Sequence, residues 1–77
     1  MIELKNIKQD KKYISMIVLP DGKEDEAFTL VLDAETLEEV SNSSGEPSSY
    51  SGHARVKIRM LLRESDVLSE EAEMWWY

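Results

Sequence analysis

The chain has 77 residues, no cysteine and a net charge of −7, with 16 acids against 9 lysines and arginines. That length suits one domain near the lower limit for a core that is stable alone, and without cysteine there is neither a disulfide framework nor a thiolate metal site. The acidic balance opposes nonspecific attraction to nucleic acid or anionic lipid over most of the surface, while an apolar fraction of 42% fits a globular rather than a disordered chain.

Met1 leads directly into Ile2-Glu3-Leu4-Lys5, with charges where a signal peptide would carry an apolar run. No apolar stretch approaches the roughly 18 residues of a membrane helix; residues 14–19 come nearest, and Ser15 interrupts them. A cytoplasmic location and no membrane partner are therefore expected.

Ile2, Leu4 and Ile7 among polar neighbours predict a short first strand, ended by the polar break Asp10-Lys11-Lys12. Residues 13–19, rich in β-branched and aromatic types, predict a second strand. Pro20-Asp21-Gly22-Lys23 is the clearest turn signal, since proline presets φ and Asp-Gly tolerates positive φ. Residues 26–33 alternate Phe28, Leu30 and Leu32 with Thr29 and Val31, so 13–19 and 26–33 should form an antiparallel hairpin. A further turn at residues 33–36 leads to a fourth strand over 37–40. A helix over 34–40 competes, but Leu37 and Val40 alone would give it almost no buried face. Residues 41–51, rich in Ser, Gly and Pro, predict a flexible loop.

Residues 54–62 fit two periods. At period two, Ala54, Val56, Ile58, Met60 and Leu62 face one way and Arg55, Lys57 and Arg59 the other. At the helical period, Tyr50, Ala54, Ile58, Leu61 and Leu62 share a narrow arc. Good helix formers and preceding serines decide for the helix. Val56 and Met60 then lie one turn apart on a second face, which the C-terminal segment could cover. Residues 72–77 read as a last extended piece. The expected fold is α+β: a small antiparallel meander of about four strands, one amphipathic helix packed on one face, and a short C-terminal extended segment, all in a single domain spanning 1–77.

Candidate chemistry is sparse. His53 is the lone histidine, and Ser-Gly-His lacks a nucleophile elbow or an orienting carboxylate, so a partly exposed helical residue is the better reading. Asp21, Glu24, Asp25 and Glu26 lack the ligand order of a calcium loop, and Gly22, Gly45 and Gly52 are too dispersed to cradle phosphate. No catalytic residue, metal or cofactor is expected.

The most informative feature is a charge reversal. Residues 53–63 hold Arg55, Lys57, Arg59 and Arg63 and no acid, and Glu64, Asp66, Glu70, Glu71 and Glu73 follow. Residues 21–39 carry eight acids and one lysine, whereas residues 5–12 carry four lysines and one aspartate. On a helix, Arg55, Arg59 and Arg63 form one ridge at i, i+4 and i+8. It could be a solvated face, a protein contact or a track for phosphates. Trp75 and Trp76 close the chain with Tyr77; aromatics with polar tips favour interfaces. One tryptophan is expected in the core and one at a contact surface.

The candidate partner-contact residues are thus Arg55, Arg59, Arg63, Val56, Met60, Trp75 and Trp76. They suggest a noncatalytic protein-interaction module whose partner is another protein or a second copy of the chain, with nucleic-acid binding through the ridge or small-ligand binding beside His53 as alternatives.

Overall fold

Side chains that alternate apolar and polar make strands of most of the first 42 residues. The structure, a computed structural model, describes residues 1–65 and 67–75. Strands β1 (Ile2–Gln9), β2 (Tyr13–Pro20), β3 (Phe28–Asp33) and β4 (Glu39–Asn42) form an antiparallel meander. Helix α1 (Ser49–Glu64) follows, and β5 (Ala72–Met74) returns to pair with β1. The sheet order is β4-β3-β2-β1-β5. The expected α+β meander with one packed helix is therefore present, and the C-terminal extended piece is its fifth strand.

One face of the sheet contributes Ile2, Leu4, Ile14, Met16, Val18, Phe28, Leu30 and Leu32 to a single core with Ala54 and Ile58 of α1. Tyr50, Leu61 and Leu62, the rest of the predicted arc, pack against it half-buried. Ser48 caps the helix: its Oγ accepts from the Ser51 N–H while the Ser51 Oγ accepts from the Ser48 N–H at 2.8 Å. This reciprocal box satisfies two of the donors that a helix start leaves open.

Strand β1 breaks its own alternation, since Ile7 follows Leu4 by three residues. The pairing with β2 shifts between Lys5 and Lys8, and Asn6 takes φ 53°. The extra residue forms a bulge that returns Ile7 to the core face. Asparagine is one of the few residues that enter the left-handed region at low cost.

The turn after β2 differs from the prediction in one respect. Asp21 (φ 51°) and Gly22 (φ 73°) fill both central positions, and the Lys23 N–H donates to the Pro20 carbonyl at 2.9 Å. This is a type I′ turn with proline at its first rather than its second position. A single 3-10 turn at Glu24–Glu26 then delays β3 to Phe28.

The fourth strand also begins later than predicted, at Glu39 rather than Leu37. Asp33 holds the turn through its Oδ1, which accepts from the N–H groups of Glu35 and Thr36 at 2.8 and 3.0 Å. Leu37 closes it at φ 61°, with its side chain buried in the core. A branched apolar residue there is strained, and burial of its side chain holds it in place. The connection predicted over 41–51 shortens to 43–48, because Ser41 and Asn42 belong to β4 and Ser49 to Ser51 to α1.

Hydrogen bonds to turn N–H groups hold two carboxyls below the usual range: Asp33 through Thr36 and Glu35, and Asp10 through Tyr13 and Lys12. Asp21 is lowered chiefly by the terminal ammonium of Met1, 3.1 Å away. Lowered folded-state values mean that this stabilisation is complete above the unfolded carboxyl pKa of about 4 and disappears as pH falls through the folded values. The urea midpoint is therefore expected to hold from pH 7 to about 5 and to fall below about pH 4. Asp33→Asn should start lower at neutral pH and show a flatter acid limb; parallel curves for the two proteins would contradict the turn geometry.

Candidate functional site

The basic ridge does not act as a unit, because residues four apart on an α-helix advance by about 40° around its axis. Measured from Ile58, Arg55 lies about 60° away, Arg59 about 100° and Arg63 about 140°. The ridge therefore winds from the edge of the core out to solvent. Arg55 is half-buried, and its Nε–H donates to the Leu37 carbonyl at 2.7 Å. It ties the helix to the strained β3–β4 turn. Arg59 and Arg63 are exposed, and among the described residues neither lies within ion-pair distance of a carboxylate. Lys57 is half-buried on the other flank of the helix.

The ion pairs formed among the described residues are the Met1 ammonium with Asp21 and an exposed Lys23–Glu26 pair at 3.9 Å. Among the described residues, Glu64, Glu70, Glu71 and Glu73 thus form no ion pair with the ridge. Glu70 instead gives its backbone carbonyl to the Ile7 N–H at 2.9 Å, and Glu73 enters β5.

Val56 and Met60 each fall about 160° from Ile58, on the side of α1 turned away from the sheet. They are 41% and 43% exposed. The expected cover does not arrive from residues 67–75, because β5 follows the edge of β1 with Leu4 opposite Ala72 and Ile2 opposite Met74. The helix thus presents two apolar side chains one turn apart, with Arg59 and Arg63 beside them.

A second exposed group lies on β5. Ala72 and Met74 pack against the core, so alternation turns Glu73 to the opposite face of the sheet. There it sits directly across from Glu3 of β1, a like-charge pairing that costs stability. Trp75 is 69% exposed, and its Nε1–H donates to Glu73 Oε2 at 3.4 Å. It takes the surface position expected for one of the two tryptophans. Trp76, the other, lies outside the described residues, as do Asp66 and Tyr77.

His53 is half-buried, and its Nδ1–H donates to the Ser49 carbonyl at 2.6 Å. Neither of two shallow depressions is lined by it. One of about 220 Å³ lies among Lys11, Lys12, Tyr13, Asp33 and Glu35, and one of about 240 Å³ among Asn6, Lys8, Ser15, Met16, Ile17 and Thr29. Among the described residues no group of three or more His, Asp or Glu side chains is placed to hold a metal ion, and no helix is long and apolar enough to cross a membrane.

Val56, Met60 and Trp75, singled out by residue type and spacing, are all exposed. Sequence reasoning missed the separation of Arg55 from Arg59 and Arg63, which the 40° advance per helical step could have exposed. In comparison with known proteins, no family model, curated protein or solved structure matches this chain.

Proposed function

We propose that the protein is a noncatalytic, cytoplasmic interaction module that binds other protein segments through the outer face of α1. The observation that carries this reading is the exposure of Val56 and Met60 beside Arg59 and Arg63, two cations without a carboxylate partner among the described residues. Burying such an apolar pair on binding is favourable by roughly 25 cal/mol per Å². Adjacent guanidiniums select for carboxylates and stack on aromatic rings. The matching partner is a segment that combines acids with an aromatic or large apolar anchor. Phosphate tracking is the weaker reading, since Arg55 is committed to the Leu37 carbonyl and leaves two arginines on a protein of net charge −7.

The test is selection from a random peptide library on the immobilised protein, with Met60→Asp as the counter-screen. Acidic peptides with an aromatic anchor should be enriched on the parent protein and lost on the variant. Because Met60 is exposed, Met60→Asp should keep its melting temperature. Equal enrichment on both proteins, or none on either, would sink the reading.

A further inference from the structure

The chemistry that the outer face of α1 selects is present on the chain itself. Glu73 and Trp75 are exposed together, joined by the indole N–H, and the half-buried Glu3 lies directly across from Glu73 on β1, with its carboxylate close to Gly22. Among the described residues no cation lies within ion-pair distance of Glu3 or Glu73. Among the described residues, one surface therefore carries carboxylates without a cation beside them and an exposed indole. The other carries two guanidiniums without a carboxylate beside them and two exposed apolar side chains.

The two surfaces cannot meet within one molecule. Helix α1 packs on the face of the sheet that holds Ile2, Leu4, Ala72 and Met74, and Val56 and Met60 point outward from that layer. Glu3 and Glu73 project from the opposite face. The domain measures 30 × 23 × 20 Å, so its thickness separates them.

Resting on the interaction-module reading, we infer that the partner of the α1 face is the Glu3–Glu73–Trp75 surface of a second copy. The indole would lie against Val56 and Met60, where sulfur–aromatic and cation–π contacts add to burial, and the carboxylates would face Arg59 and Arg63. Because donor and acceptor surfaces point in opposite directions, the contact is head-to-tail. Each added copy presents a fresh acceptor, so association continues past the dimer instead of closing about a twofold axis.

Light scattering on the full chain over a concentration series tests this. The parent protein should rise past the mass of two protomers, and salt should weaken the association by screening the charges. Met60→Asp lacks a working acceptor and Trp75→Ala lacks a donor, so each alone should remain a monomer at concentrations where the parent associates. An equimolar mixture should form pairs and stop there, since only one productive contact remains. A parent protein that levels off at the dimer, or a mixture that stays monomeric, overturns the head-to-tail contact. A parent that is monomeric throughout overturns self-docking altogether; the peptide selection then decides independently whether α1 serves a different partner.

Discussion

Ile58→Ala is expected to lower the unfolding free energy by about 2–5 kcal/mol, the range for truncating a large buried aliphatic side chain. Helix α1 reaches the core through two fully buried apolar residues, Ala54 and Ile58. Ala54 has almost nothing to remove. The isoleucine therefore carries most of the dry contact between the layers, supported by the half-buried Tyr50, Leu61 and Leu62. A domain of this length has a total stability of roughly 4–12 kcal/mol, so the loss would consume a large share of it. Urea unfolding should show a much lower midpoint. A change below about 1 kcal/mol would mean that the helix is not anchored through this residue.

Arg55→Met is expected to cost about 1.5–3 kcal/mol, the range for a hydrogen bond to a charged group. The substitution keeps much of the apolar stem, which separates lost packing from the lost donor. Arg59→Met and Arg63→Met should each stay within about 0.5 kcal/mol of the parent, as exposed positions usually do. The contrast between arginines one helical turn apart is the informative result. Three equal values would mean that the 2.7 Å contact with the Leu37 carbonyl contributes nothing to stability. The site also bears on Leu37, whose positive φ persists only while its surroundings hold it.

Much of this fold was legible in the sequence because its signals are local. The β2–β3 hairpin follows from two alternating runs around Asp-Gly, and α1 from an apolar arc preceded by capping serines. Features that depend on distant partners were not legible. The bulge at Asn6 becomes necessary only once Ile7 must share a face with Leu4 against β2. Leu37 looks like the first residue of a strand until the turn held by Asp33 places it in the left-handed region. Residues 72–77 read as an extended piece, but its pairing with β1 spans nearly the whole chain, and nothing in Ala72, Glu73 and Met74 names the edge they join. For the candidate site, Val56, Met60 and Trp75 could be picked out by type and spacing. The role of Arg55 could not, because its acceptor is a backbone carbonyl 18 residues away.

The β1–β5 pairing also sets an order of events during synthesis. Four strands of the meander and the whole helix leave the ribosome before Ala72 to Met74 do. At about 5–20 residues per second, synthesis from Gln9 to Met74 takes roughly 3–13 s. From the moment β1 emerges until Ala72 to Met74 follow, its outer backbone groups are an open template beside which an extended nascent chain could pair. Contacts so far apart in sequence are also intrinsically slow to form. The bulge at Asn6 and the lysines at positions 5 and 8 make that waiting edge irregular and charged, which protects it until its own last strand arrives.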